Sequence, residues 1–529
     1  MYHAPDWLEQ RAALSPEKVA LIDSLHSNRS ITYHEWNRSA NQTAHFLAER
    51  LGVSKGDRVA VLAKNSVAYL DVWFALQKLG AILQNLNWRL TPHELAGLVQ
   101  DAAPSVIIYD SNQEEFGEQI EKLRFLLIEQ ASQRESGQGN TPLFVGFGEP
   151  FSEGDLAFSE RDRFPTTALP DPGLTLEDPW VICYTGGTTG LPKGAILSQR
   201  AITANAINTI ISWGLSPQDV TLLNSPLFHT GGLNVFTAPL VYLGGTSIVA
   251  REFDLEQTFQ LLQSGQLTIW FGVPTMFVMM QGHPQWGTAD FSHLRILISG
   301  GAPCPLPVFE RFWEKGVDFK TGYGLTEAGP NTFWLPPEEV RQKPGAVGYP
   351  LFHVEVRVVD EAGNDPGPEQ VGELLIRGPH MFSGYWNNPE ASAHAVRNGW
   401  LHTGDLASYD KDGAYRIMGR LKDMIISGGE NVYPAEVESV LHAYPHIAEA
   451  ALIGVPDEKW GEVGWAVVVP KAGLKIDQEK LIGFCQQRLA RYKIPKRIIF
   501  AEELPKTGAN KIDKKRLQEM YTKTEEQAP

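Results

Sequence analysis

The segment Tyr184-Thr-Gly-Gly-Thr-Thr-Gly-Leu-Pro-Lys-Gly194 constrains this chain most, because it sets glycines, hydroxyl groups and one lysine directly after the apolar run Pro179-Trp-Val-Ile-Cys183. A strand that ends in such a loop implies an α/β sheet with an anion cradle at its edge. Backbone amides reach an anion closely only where side chains are absent, and glycine also tolerates the positive φ that turns successive N–H groups inward. Gly186, Gly187 and Gly190 supply that backbone, Thr185, Thr188 and Thr189 add hydroxyl donors, and Lys193 adds a charge. The spacing is not the Walker form, since Pro192 precedes Lys193 and Gly194 follows it. An ordinary Gly/Thr turn is the bland alternative, and the density of the segment speaks against it.

The rest of the chain alternates in the same way. Arg58–Leu62 and Ser105–Tyr109 read as buried strands, Ala68–Leu79 as an apolar-faced helix, and Thr91-Pro-His-Glu94 as a capped helix start. Glu129–Pro172 is rich in polar residues, Gly and Pro and reads as a surface excursion. Leu294–Ser299 reads as a strand ending at Gly300-Gly301-Ala302, where ligands sit in open α/β sheets. Residues 353–418 carry short β-like runs, and after Gly419-Arg-Leu-Lys-Asp423 the pattern becomes that of a compact α+β module. The expected architecture is α/β: a large N-terminal domain (1–420) of α/β subdomains plus a small β subdomain, and a mobile α+β C-terminal domain (421–529). At 529 residues, one core would be exceeded in any case.

Residues 421–529 hold 16 basic and 16 acidic side chains, so the formal charge of −16 lies entirely in residues 1–420. Arg488–Arg516 is a basic tip on an acidic protein, which suits a small polyanion; the acidic remainder would repel a long nucleic-acid backbone. No apolar run approaches the roughly 18 residues of a membrane helix, and the start lacks a basic-then-apolar leader, so a cytoplasmic protein is expected. Cys183, Cys304 and Cys485 lie far apart without a CxxC pair, arguing against a disulfide framework or zinc site and for buried small hydrophobes.

Further segments follow the loop in order: Pro226-Leu-Phe-His229, Tyr323-Gly-Leu-Thr-Glu327, Gly399-Trp-Leu-His-Thr-Gly-Asp405, Gly419 to Asn431 and Pro505-Lys-Thr-Gly-Ala-Asn-Lys511. Together they resemble the adenylate-forming acyl-CoA synthetases from about Trp7 to Leu517. One departure is Asn510, where that family usually has glycine. The resemblance implies that a carboxylate attacks the α-phosphate of ATP to give an acyl-adenylate and pyrophosphate, and that coenzyme A then displaces AMP. It assigns Mg2+ to Glu327, the α-phosphate to Thr326, adenine to Tyr323 beside Gly324, and the adenine and acyl floor to Gly300, Gly301 and Ala302. Asp405 and Arg420 would hold the ribose, and Lys511 would stabilise the charge between carboxylate and phosphate. His229 would gate the acyl pocket or touch the carboxylate. Gly428 and Gly429 would narrow the coenzyme A tunnel, Arg251 would meet a coenzyme A phosphate, and Lys422 would be the hinge.

The leading expectation is a stand-alone ATP-dependent carboxylate–CoA ligase acting on a fatty or aryl acid, with Trp270, Phe271, Val273, Phe277, Phe236 and Val347 around the acyl group. An o-succinylbenzoate ligase, suggested by Ser427–Glu438, and an enzyme that loads a carrier protein are the alternatives. A homodimer is compatible with each.

Overall fold

The computed structural model describes residues 3–132, 141–186, 192–507 and 511–522. Among these, two seven-stranded sheets form the large domain. The first runs Leu156–Ala157, Leu143–Gly146, Val106–Tyr109, Arg58–Leu62, Ile82–Asn85, Pro179–Thr185 and Lys193–Ser198. Its strands are parallel except the last, which turns back antiparallel on Pro179–Thr185. The second runs Lys320–Thr321, Ile296–Ser299, Ile269–Gly272, Val220–Leu223, Thr246–Val249, Val19–Asp23 and Arg29–Thr32. It too is parallel apart from its final edge strand.

Parallel strands need covering on both faces, which is why their sequences are continuous apolar runs. Arg58–Leu62 lies as expected, and the helix after it spans Val67–Leu79, one residue longer than its pattern predicts. Thr91 and Glu94 form a reciprocal capping box on helix Pro92–Ala102. Glu129–Pro172 differs from expectation. It contributes strands 143–146 and 156–157, which extend the sheet by pairing with Val106–Tyr109 and with each other. The neighbouring strand's free edge supplies the order that periodicity does not.

An antiparallel five-stranded sheet carries Glu355–Val359, Gly372–Arg377, Trp400–Tyr409, Val396–Arg397 and Tyr415–Arg420. Beyond Arg420 a smaller α+β domain packs helices Pro434–His442 and Gln478–Gln486 with a mixed sheet built on the long hairpin Ile447–Asp457 and Gly461–Pro470. Its buried residues, from Ile425 to Leu517, pack among themselves, apart from the large domain's core. Cys183 and Cys485 are buried as expected, whereas Cys304 is only partly covered. Among the described residues, no helix is long and apolar enough to cross a membrane.

Candidate active site

The cleft forms where strand ends of the large domain meet the small domain. Trp400–Tyr409 and Tyr415–Arg420 are adjacent antiparallel strands in which Asp405 is paired with Arg420. The register places both side chains on one face, and Arg420 Nε donates to Asp405 Oδ1 at 2.7 Å. Tyr323, just past the edge strand Lys320–Thr321, donates its phenol to the other carboxylate oxygen at 2.5 Å. Burial raises the Asp405 pKa, while Arg420, Tyr323 and Lys511 oppose the rise. An ionised, partly desolvated carboxylate held open by two donors can accept paired hydroxyls.

Glu327 sits on the short turn Thr326–Ala328 and is buried. Its Oε1 accepts a hydrogen bond from Tyr385 at 2.8 Å and lies 3.3 Å from Thr185 Oγ1 at the end of strand Pro179–Thr185. Lys193, opposite Thr185 in the returning strand, holds its ammonium 5.2 Å from the Tyr385 ring centre. The two arms of the glycine loop thus flank Glu327; its apex, with Gly187, Thr188, Thr189 and Gly190, lies outside the described residues. Gly324 needs its missing side chain, because a Cβ there would fall 2.1 Å from the Pro330 carbonyl oxygen. Among the described residues no group of three or more His, Cys, Asp or Glu gathers as a metal cage. One buried carboxylate beside hydroxyls fits Mg2+, which keeps waters and completes its shell with substrate phosphates.

Lys511 is delivered by the small domain. Its loop is closed by the Lys506–Ile512 bridge and by the Thr507 N–H, which donates to the Lys511 carbonyl at 2.7 Å. Its side chain is exposed to water at the mouth of the cleft, yet enough protein surrounds it to desolvate its charge in part. Desolvation and then Arg420 lower its pKa, opposed by Asp405 and Glu327. Asn510 lies outside the described residues. His229 faces the same cleft with Nε2 buried and unpartnered. Burial, then Lys511 and Arg89, depress its pKa to about 4, so the ring is neutral at neutral pH.

Not every expected residue joins this group. Gly301 and Ala302 are exposed at the end of strand Ile296–Ser299, with Gly301 at φ +81. Thr326 lies on the short turn beside Glu327, and its hydroxyl acts on the buried Cys183 thiol, opposing the rise that burial causes in that thiol's pKa. Trp270 and Phe277 pack edge to face in the core, because strand alternation sends Trp270 to the sheet face opposite Phe271. Phe236 and Val347 are likewise core residues, leaving Phe271 and Val273 half-buried. Arg251 is half-buried, with one guanidinium nitrogen buried and unpartnered and its charge acting on Asp110. Gly428 and Gly429 form the turn between strands Ile425–Ser427 and Glu430–Val432, both at positive φ. Lys422 is exposed on the turn Leu421–Asp423 that links the domains.

Two contributors were not legible in the sequence. Tyr385 lies 58 residues from its partner Glu327, with no local motif to mark it. Arg89 stacks its guanidinium on Trp88 at 4.6 Å and near Phe228 at 5.5 Å, beside His229.

Residues 8–386 match the model of the AMP-binding enzyme family, and residues 436–511 match that family's C-terminal domain. The chain belongs to the AMP-binding enzyme family. As a member, it is 39% identical over 506 residues to a feruloyl-CoA synthase of Amycolatopsis, covering 96% of both chains. It is 37% identical to an indoleacetate–CoA ligase of Aromatoleum aromaticum, again over 96% of each. Among solved structures of AMP-binding enzymes, it resembles the o-succinylbenzoate CoA synthetase of Bacillus subtilis in complex with its acyl-adenylate. That match has a TM-score of 0.85, 30% identity and coverage of 98% of this chain and 99% of the other. The same enzyme with ATP and magnesium matches at 0.84 and 29%, covering 97% and 99%.

Proposed function

We propose that this protein is an ATP-dependent acid–thiol ligase that makes an acyl-adenylate and then an acyl-CoA thioester. The observation that carries the reading is the convergence of Lys511, from the small domain, on Asp405, Arg420 and Glu327 of the large one. Asp405 and Arg420 hold the ribose of ATP, Tyr323 stiffens Asp405 and borders the adenine, and Gly301 and Ala302 form an open floor. Thr185, Gly186, Lys193 and the loop apex take the phosphates, with Thr326 beside them. Glu327 holds Mg2+, which when bound neutralises departing pyrophosphate. Lys511 places its charge between the acid carboxylate and the α-phosphate, where repulsion would otherwise keep the reactants apart. His229, neutral and unpartnered, can hydrogen-bond the carboxylate. The domains divide at 420/421, the small one turns about Lys422, and Gly428-Gly429 then meets the pantetheine of coenzyme A. A cytoplasmic homodimer belongs to the same proposal.

The acid has an apolar body, aryl or fatty, since Phe271 and Val273 are what the cleft offers it. A dicarboxylate such as o-succinylbenzoate is the second reading, favoured by Arg89, whose cation stands beside His229 where a second carboxylate could be met. The test is pyrophosphate release and thioester formation with ATP, Mg2+ and coenzyme A over aryl, straight-chain and dicarboxylic acids. An acid-dependent thioester product is expected. Acid-independent ATP hydrolysis without thioester would refute the ligase reading.

A further inference from the structure

One aromatic ring shapes the acyl end of the cleft. Strand Ile269–Gly272 pairs in parallel with Ile296–Ser299, so Phe271 and the turn at Gly300-Gly301 emerge together at the strand ends. A Cβ at Gly300 would stand 2.8 Å from Phe271 Cε2, and one at Gly231 would stand 3.4 Å from Cε1. Neither glycine has a positive φ, so the backbone does not demand them. What their missing side chains provide is a seat for the ring. Gly231 lies two residues past His229, so Phe271 spans the cleft from the His229 side to the Gly301 side. Unlike its fully buried neighbour Trp270, Phe271 is only half-buried.

Phe271 also lines a small cavity with Leu223, Ser225, Gly231, Phe236 and Thr237. Its volume is about 10 Å³, room for about one water, and the buried Ser225 hydroxyl on its wall has no partner. A pocket that swallows a drug-sized ligand needs roughly 300–1,000 Å³. The space between Phe271 and the side chains of Leu223, Phe236 and Thr237 is therefore filled but for this void.

We propose that Phe271 is the specificity-determining residue of the acyl site: seated on Gly231 and Gly300, it presents a ring face to a planar aryl carboxylic acid and closes the interior to long alkyl chains. This rests on the ligase reading above and narrows its acid. Aromatic rings favour offset or edge-on contact with one another, and an alkyl chain gains nothing comparable from a wall that stops it short.

The experiment compares wild type, Phe271→Ala and Phe271→Leu on a hydroxycinnamic acid, a benzoic acid, octanoate and palmitate, with kcat/KM read from pyrophosphate release. Wild type should prefer the aryl acids over palmitate by roughly tenfold or more, the discrimination that a few atoms of pocket wall give. Phe271→Ala should move that ratio toward palmitate by at least a similar factor, mainly through a higher KM for aryl acids. If Phe271→Ala does not fold, as judged by its melting curve, Phe271→Leu decides, because it keeps most of the volume and loses the aromatic face. Equal use of palmitate and aryl acids by wild type, or an unchanged ratio in a folded variant, overturns the proposal. Because the ratio is read on pyrophosphate, it is decided even where no thioester forms, an outcome that would count against the ligase reading alone.

Discussion

Tyr385 donates a hydrogen bond of 2.8 Å to Glu327 while its ring lies 5.2 Å from the Lys193 ammonium, so one side chain joins the buried carboxylate to the returning arm of the glycine loop. The backbone around it is fastened to that arm: Ile196 N–H donates to the Gly384 carbonyl and Trp386 N–H to that of Gly194. A site that must hold a cation and a triphosphate together gains from such a tie, because geometry fixed before binding costs nothing during it.

Removing the Tyr385 hydroxyl should therefore loosen Glu327 without unfolding the protein. Phe in its place forfeits one hydrogen bond to a charged group, about 1.5–3 kcal/mol, and the expected outcome is a rise of roughly tenfold in the Mg2+ concentration for half-maximal pyrophosphate release. Glu327→Ala should abolish most of that release at any Mg2+ concentration. Identical Mg2+ titrations for wild type and Tyr385→Phe would show that the bond does not act on the site.

Asp405→Ala should raise the KM for ATP by about 10- to 100-fold, on the scale of hydrogen bonds to a charged group, with a smaller effect on the acid. Arg420 is about half exposed and can relax into water, so the melting temperature should move little. An unchanged KM for ATP would take Asp405 out of the nucleotide site.

Acid should weaken the fold through two histidines. His380 is fully buried with both ring nitrogens unpartnered, and burial, helped by the nearby Arg200, depresses its pKa to about 4, as burial does for His229. Both are bases whose folded pKa lies below the unfolded value of about 6.5. The folded state then binds fewer protons, so the stability present above pH 6.5 is lost as pH falls from about 6.5 toward 4 and changes no further below that. For each histidine the loss is on the order of 3 kcal/mol. Melting temperature against pH, for wild type and His380→Gln, checks this; the variant should show a shallower fall over that window, and parallel curves would contradict the assignment.

The sequence made legible the groups that sit in short contiguous motifs. Asp405, Arg420, Glu327 and Lys511 each stand in a run of glycines and hydroxyl residues whose chemistry is local. Tyr385, Arg89 and the seating of Phe271 were not legible, because each depends on which distant strand lies alongside. Trp270 and Phe271 are both large and apolar, and only the direction of the pleat sends one to the core and the other to the cleft. That the Arg251 charge acts on Asp110 is likewise visible only in the fold, because the two residues are far apart in sequence. Fold class followed from alternating patterns, whereas the strands within Glu129–Pro172 exist because a neighbouring edge is there to pair with.

The last prediction concerns two faces of the small domain. Lys511 stands in the cleft with Asp405 and Glu327, the arrangement that the proposed adenylation step would use. Gly429 is in the turn between strands Ile425–Ser427 and Glu430–Val432, with no atom within 4 Å of where its Cβ would be, whereas a Cβ on Gly428 would fall 2.7 Å from Trp460 Cε3. One fixed arrangement cannot readily bring both to the same carbonyl carbon. Rotation about Lys422 between the two steps would, as hinge closures do when a few residues absorb the change. Lys511→Ala should then lose about 10²-fold or more in acyl-adenylate formation, the scale of removing one preorganised charge-stabilising group, yet still convert supplied acyl-adenylate and coenzyme A to thioester. Gly429→Trp should release pyrophosphate once and stall before thioester; because its φ of +85 disfavours a side chain, its folding must be verified first by melting. Two half-reaction assays on the purified variants make the comparison. Equal impairment of both halves in each variant would mean that a single fixed site performs both steps.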